Sequence, residues 1–305
     1  MLYAIRHRTT YHYAARAAGA RLLLHLQPAE RPGQQVLASG LDVSPGPAER
    51  AEFADFFGNR TTAMRFADLP SRLVIDATAT VRVSPPAGPA AAATPAWEEV
   101  REAALRARDL SGSSPVHMLF PSRFAPLLPE AAAYGEPCLG LGRPVLEAAE
   151  ALMRRIHADF AYDPEATDIS TPIDEVLRLR RGVCQDFAHL MIGALRGHGL
   201  PAAYVSGYLR TRPPPGRERL VGADATHAWV AVWCGEEAGW IGLDPTNAAV
   251  AGEDHVVLAI GRDYGDIAPV AGVVTLSADH RVEVEVDVMP MDEPVPPLLR
   301  AGHGG

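Results

Sequence analysis

A helix drawn through residues Cys184–His198 carries apolar side chains on nearly every side. A helix at a protein surface keeps a polar face toward water, so this segment must be covered by other parts of the chain. Gly199 and Pro201 follow it and mark its end. The sequence therefore predicts a buried helix in the middle of a domain, with Cys184 in its first turn.

Three strand-like runs follow this helix, at Ala202–Leu209, His227–Cys234 and Gly239–Leu243. They are short and largely apolar, as buried strands are. Further on, valines alternate with acidic residues over positions 282–288, which predicts a strand with one face in water. Helix and strands together predict an α+β fold.

The first eighty-odd residues have a different pattern, in which apolar residues recur with a period of two. Gly58-Asn59 has the residue types of a tight hairpin turn. We therefore predict an N-terminal all-β, sandwich-like domain over residues 1–84. Residues 85–96 are rich in proline and alanine and are predicted to be a linker.

Composition excludes several classes of function. The formal net charge of −9 argues against nucleic acid as a partner, because phosphate binding favours a basic surface. No apolar run approaches the roughly 18 residues that span a bilayer, and the N-terminus lacks the apolar core of a signal peptide. Three cysteines, an odd number, favour a reducing compartment. We expect a cytoplasmic protein without a membrane partner; its oligomeric state is not indicated.

Cys184 stands where a nucleophile is favoured. A thiol attacks only as a thiolate, and the unpaired N–H groups at a helix start favour an anion there. His227 begins one predicted strand, and Asp244 ends the next. If the two strands are antiparallel neighbours, this histidine and this carboxylate meet at one edge of the sheet, where the carboxylate can orient the imidazole toward the sulfur. Each residue also has an ordinary structural reading, as a buried core cysteine or as a polar strand end.

Three segments together resemble the core motifs of the bacterial transglutaminase-like superfamily. They are Gly182–Ala188 (GVCQDFA), Thr226–Val230 (THAWV) and Gly239–Asn247 (GWIGLDPTN). The order of cysteine, histidine and aspartate is also that of the family. Arg8–Tyr11 and Asp55–Arg60 resemble the N-terminal domain often found with this core.

This resemblance implies a papain/transglutaminase-like core over residues 97–290, with its central helix packed on an antiparallel sheet, and a flexible C-terminal tail over residues 291–305. It implies that Cys184 is the nucleophile, His227 the general base and Asp244 the orienting acid. A peptide or protein substrate would form an acyl-enzyme on the cysteine.

The reaction has two open outcomes. Water as the acyl acceptor gives a cysteine peptidase or amidase, which we favour because no acceptor-amine site is recognisable; a primary amine gives a protein-glutamine gamma-glutamyltransferase. All 28 basic residues are arginines. A chain without lysine cannot cross-link itself through lysine, although a GC-rich genome gives the same composition. A non-catalytic binding or scaffold protein with the same fold is the third alternative.

Other candidate residues have weaker support. Cys184 and His189 do not share a helix face, and His198 and His255 have no ligand-like spacing, so we expect no metal site and no cofactor. Tyr162 is a candidate second oxyanion donor or a packed tyrosine. Gln185 either lines the cleft or faces solvent. Cys138 and Cys234 are predicted to be structural.

Overall fold

The computed structural model describes residues 1–211, 226–275 and 279–291. The N-terminal region is all β, as its period-two pattern predicts. Its strands are β1 (Leu2–Tyr13), β2 (Ala20–Leu24), β3 (Gln34–Ser44), β4 (Glu49–Ala54), β5 (Arg60–Phe66) and β6 (Arg72–Val83). The turn between β4 and β5 contains Gly58, whose φ of 74° lies in the left-handed region that favours glycine.

The following region contains most of the helices. The α-helices are α1 (Trp97–Leu105), α2 (Pro129–Gly135), α3 (Val145–Asp159), α4 (Ile173–Leu179), α5 (Cys184–Gly197) and α6 (Tyr264–Ile267). Short 3₁₀ helices lie at Ala91–Ala93, Pro115–Met118 and Glu136–Cys138. In the part of the chain that the structure describes, none of these helices combines the length and the apolar character needed to span a membrane.

The remaining strands are mostly interleaved with these helices. They are β7 (Ala161–Tyr162), β8 (Arg181–Gly182), β9 (Ala202–Leu209), β10 (Thr226–Trp233), β11 (Trp240–Asp244), β12 (Ala249–Val250), β13 (His255–Gly261), β14 (Val270–Val274) and β15 (His280–Pro290). Five of them form an antiparallel sheet in the order β12-β11-β10-β9-β13. The predicted α+β class is confirmed.

Helix α5 is the centre of this region, as its apolar sequence predicts. Its residues from Asp186 to Arg196 are all buried. One side packs against β9 and β10, and the others pack against α2, α3 and α4. Leu190 has no solvent-exposed surface. Truncating such a side chain to alanine typically costs ~2–5 kcal/mol of stability.

The N-terminal domain has two four-stranded sheets, in the orders β15-β1-β6-β3 and β14-β2-β5-β4. The strands β14 and β15 therefore return from the far end of the chain to complete it, which corrects the predicted core boundary at residue 290. The cause is pairing: Val286 and Val288 lie opposite His7 and Ile5 of β1 and share a hydrophobic cluster with Ile5. The period-two pattern of the sequence identified β15 as a strand but did not indicate that it pairs with β1. Of the predicted tail 291–305, only Met291 lies within the described residues.

Two side-chain amides join the N-terminal domain to the five-stranded sheet. Gln34 bonds both backbone groups of Val257, with distances of 2.9 Å from its Nε2 to the carbonyl and 2.8 Å from the N–H to its Oε1. Asn59 pairs with Ile260 in the same way. Both partners lie on β13, the outer strand of the sheet, whose free backbone groups require partners. The amides thus cover part of an otherwise open sheet edge.

Candidate active site

Cys184 is the first residue of α5 and is partly accessible to solvent. The helix start is fixed by Asp186, whose Oδ2 accepts hydrogen bonds from the Val183 N–H at 2.8 Å and from the Thr167 hydroxyl at 2.6 Å. These bonds hold the carboxylate at the helix cap. Gly182 is required beside it, because a Cβ at that position would lie 2.5 Å from the same oxygen.

The strands bring His227 and Asp244 together. The start of β10 lies beside the end of β11 because the two strands are antiparallel, with Val230 opposite Leu243. The Nε2–H of His227 donates to Oδ2 of Asp244 at 2.8 Å. The predicted meeting of these two residues at one sheet edge is therefore observed. The other ring nitrogen, Nδ1, is not used by Asp244, and Cys184 lies close enough to the ring to contribute to the raised pKa of His227.

The electrostatics of this group favour a protonated imidazole. Burial alone would lower the pKa of His227, but the hydrogen bonds and negative charges of Asp244 and Cys184 outweigh it and raise that pKa to about 9. Burial alone would raise the pKa of Asp244, but the hydrogen bonds from His227 and His255 outweigh it and hold the pKa of this carboxyl far below its usual range. An imidazolium between a carboxylate and a sulfur is the arrangement that stabilises a thiolate.

Asp244 is fully buried and is held by several donors. Its Oδ1 accepts the backbone N–H groups of Thr246 at 3.0 Å and Asn247 at 3.2 Å. Its Oδ2 accepts the side-chain amide of Asn247 at 2.7 Å and the Nε2–H of His255 at 3.3 Å, in addition to His227. Asp244 is the last residue of β11, and the turn that follows it (DPTN in the sequence) thus supplies three of the donors to its carboxylate.

His255 is the member of this cluster that sequence spacing missed. It begins β13, which lies two strands away from β10, and only the sheet order brings it to Asp244. One signal was available, because His255 starts an apolar strand as His227 does.

The ligand atoms of His227, Asp244 and His255 lie within 4.8 Å of one another, close enough to surround a metal ion. The hydrogen bonds argue against that use. The Gly252 N–H donates to Nδ1 of His255 at 3.2 Å, so the neutral ring carries its proton on Nε2, directed at the carboxylate. A metal ligand needs a lone pair at that nitrogen. Hydrogen bonds within the protein account for the cluster.

The other cysteines differ from Cys184. Both Cys138 and Cys234 are buried, and burial raises the pKa of Cys234 to about 12. A thiol with so high a pKa is not a nucleophile at neutral pH.

Two further candidate residues belong to the segments around Cys184. Tyr162 pairs with Gly182 in the short parallel ladder of β7 and β8, and its side chain is 60% exposed, so it is not packed in the core. Burial of part of its ring and the charge of Cys184 raise the pKa of its hydroxyl. Gln185 donates to the carbonyl of Ile169 at 3.3 Å in an exposed position. Tyr162 is thus within electrostatic reach of the sulfur, whereas the one bond of Gln185 is directed to Ile169.

Comparison with known proteins agrees with this architecture. Residues 3–82 match the family model of the bacterial transglutaminase-like N-terminal region, and residues 133–245 match that of the transglutaminase-like superfamily. An uncharacterised protein of Mycobacterium tuberculosis (strain ATCC 25618 / H37Rv) is 37% identical over 297 residues, which cover 95% of this chain and 93% of that protein. An uncharacterised Mycobacterium leprae protein is 28% identical over 92% of this chain and 96% of its own length.

Similarity to one solved structure extends over nearly the whole chain. A crystal structure of a candidate cysteine protease from Cytophaga hutchinsonii superposes with a TM-score of 0.74, at 22% identity, over 97% of this chain and 93% of that one. That similarity concerns the fold. A protein-glutamine gamma-glutamyltransferase of Pseudomonas aeruginosa is 37% identical over 107 residues, which are 34% of this chain and 16% of that protein. The chain belongs to the transglutaminase-like superfamily.

Proposed function

We propose that this protein is a thiol enzyme that cleaves amide bonds by hydrolysis, using Cys184 as nucleophile, His227 as proton carrier and Asp244 as its orienting carboxylate. The observation that carries the proposal is the 2.8 Å hydrogen bond from the His227 imidazole to the buried Asp244 carboxylate, in a ring that also interacts electrostatically with Cys184. Of the three cysteines, only Cys184 combines access to solvent with such a partner.

In the first half of the reaction, the Cys184 thiolate attacks the carbonyl carbon of a carboxamide. The carbonyl oxygen becomes an oxyanion, which the N–H groups of Cys184 and Gln185 can stabilise because, at the very start of α5, they have no carbonyl partner within the helix. The C–N bond then breaks, and the His227 imidazolium gives its proton to the leaving nitrogen. The products are an amine or ammonia and a thioester on the sulfur.

In the second half, neutral His227 takes a proton from water as the water attacks the thioester. The acyl group leaves as a carboxylic acid, and the sulfur returns to the thiolate paired with imidazolium. Asp244 fixes the ring through Nε2 in both halves, so that Nδ1 stays directed at the reacting atoms.

Transamidation is the second candidate, favoured by the local similarity to the Pseudomonas aeruginosa enzyme. The same acyl-enzyme would then react with a primary amine. One experiment separates the two outcomes: the protein is incubated with a peptide library, with and without an isotopically labelled alkylamine, and products are read by mass spectrometry. Peptides that are cut, or whose glutamine amide becomes a carboxylic acid with release of ammonia, support hydrolysis, whereas incorporation of the labelled amine into glutamine contradicts it.

A scaffold protein with the same fold is separated from either enzyme by cysteine-directed probes. The proposal expects a covalent adduct on Cys184 of the folded protein and its loss in Cys184→Ala. A folded protein that forms no adduct with electrophilic amide or alkylating probes supports the scaffold.

A further inference from the structure

His255 and His227 donate hydrogen bonds to the same oxygen atom, Oδ2 of Asp244, over 3.3 Å and 2.8 Å. The mechanism above uses only one of these histidines. His255 is 8% exposed, so its polar ring is withdrawn from water and depends on protein partners.

Both nitrogens of the His255 ring have a defined role. Nδ1 accepts the Gly252 N–H, and Nε2 therefore carries the proton that points at Asp244. A histidine that merely filled space would not need both bonds. The fixed tautomer makes His255 a donor to the carboxylate.

The ring is also fixed in space. Trp229 packs against both histidines: its ring is stacked on His227 at 6.0 Å between centroids and is edge-on to His255 at 5.2 Å. Gly207, on the strand between β10 and β13, leaves room for this indole, because a Cβ there would lie 2.5 Å from it. The backbone of β13 is in turn bonded by Gln34 and Asn59 of the N-terminal domain.

The geometry points to His255 as a positioning residue of the proposed site: it holds Oδ2 of Asp244 toward His227, against the pull of the Asn247 amide on the same oxygen. This inference rests on the proposed function. A carboxylate oxygen has about two lone pairs, so three donors at one atom compete for it, and the position of the carboxylate reflects the balance between them. Without His255, the carboxylate moves toward Asn247, whose contact is the shortest at 2.7 Å.

The test replaces His255 with three side chains. His255→Gln keeps an N–H donor at the distance of Nε2, His255→Phe keeps the ring without a donor, and His255→Asn keeps an amide that is one carbon too short to reach. Two readouts are taken on each folded variant: the pH titration of the His227 ring nitrogens by NMR, and the rate of Cys184 alkylation by iodoacetamide at pH 7. Neither readout requires a known substrate.

We expect the His227 midpoint in His255→Phe to fall by about one pH unit or more from its wild-type value, and alkylation to slow by about tenfold. In His255→Gln, the His227 midpoint should stay within about half a pH unit of the wild-type value, and the alkylation rate within about threefold of the wild-type rate. If His255→Phe does not fold, His255→Asn takes its place with the same expectation. A midpoint that stays or rises in the donor-free variants, or a loss in His255→Gln as large as in His255→Phe, overturns the assignment. So does a stoichiometric metal ion bound through His255 in the purified protein.

Failure of the proposed function is seen separately. It appears as an unreactive Cys184 in the wild-type protein, whereas the His227 titration reports on His255 whether or not the sulfur reacts.

Discussion

Asn59 and Ile260 are joined by two hydrogen bonds of 2.8 Å, one from the side-chain amide to the backbone carbonyl and one from the backbone N–H to the amide oxygen. Asn59 is fully buried. It pairs with the backbone of β13, the outer strand of the five-stranded sheet, in the way that a neighbouring strand would. The N-terminal domain therefore contributes hydrogen bonds to the sheet that carries His227 and Asp244.

We predict that Asn59→Ala destabilises the protein by about 1–3 kcal/mol, because it removes the partners of the partly buried N–H and carbonyl of Ile260. The measurement is urea unfolding monitored by tryptophan fluorescence. Gln35→Ala, which removes an exposed amide bonded to Arg82, is the matched control and should change stability by less than about 0.5 kcal/mol. Equal stability of the two variants would contradict a role for Asn59 in joining the domains.

The cap of α5 gives a second prediction. Asp186→Ala removes the acceptor of the Val183 N–H and the Thr167 hydroxyl, and should cost about 1–2 kcal/mol. It should also slow Cys184 alkylation, because the first turn of α5 is then less fixed. Asp186→Asn keeps one acceptor oxygen and should retain most of the stability. A variant Asp186→Ala as stable as wild type would show that the cap does not hold the helix start.

The raised pKa of His227 predicts a dependence on alkaline pH. Its folded value, about 9, lies above the ordinary value of 6.5, so the charged ring stabilises the fold. That contribution is complete below pH 6.5, declines between 6.5 and about 9, and is lost above it. The rate of amide cleavage should also decline as the pH rises toward about 9, since the leaving nitrogen needs the imidazolium proton. The measurement is the pH profile of unfolding free energy for wild type and His227→Gln; an equal slope in both between pH 6.5 and 9 would refute this.

Two other buried histidines predict sensitivity to acid. Burial lowers the pKa of His7 and of His189 to about 4, because each ring is held neutral among protein partners. In the folded protein these pKa values lie below 6.5, the ordinary value, so the unfolded chain binds protons more readily. The free energy of unfolding is therefore highest above pH 6.5 and decreases as the pH falls toward about 4. Each ring should contribute a slope of up to about 1.4 kcal/mol per pH unit in that window.

The check is urea unfolding at pH 7, 6 and 5 for wild type and His189→Gln. His189 stacks on Phe124 and Tyr204 and accepts the Tyr264 N–H at its Nε2, so the variant should be less stable at pH 7. Its stability should nevertheless fall less steeply with acid than that of wild type. Parallel profiles would mean that His189 does not titrate in this range.

The sequence identified the elements of the site better than their assembly. The helix that begins at Cys184 and the strands that carry His227 and Asp244 were predictable, since an all-round apolar helix and short apolar strands have distinct patterns. Resemblance to the superfamily then supplied their order. The contact of His255 with Asp244 and the return of β14 and β15 to the N-terminal domain were not predictable, because both depend on which strands pair across long separations. A period of two identifies a strand but does not identify its neighbour.

The reactivity of Cys184 is the most direct test of the proposed chemistry. The measurement is the second-order rate of iodoacetamide alkylation at pH 6, followed by mass spectrometry in wild type and His227→Ala, with glutathione as the free-thiol reference. If His227 holds a proton that stabilises the thiolate, wild type reacts at least about tenfold faster than His227→Ala and faster than glutathione. Equal rates in wild type and His227→Ala, both at or below that of glutathione, would contradict the account.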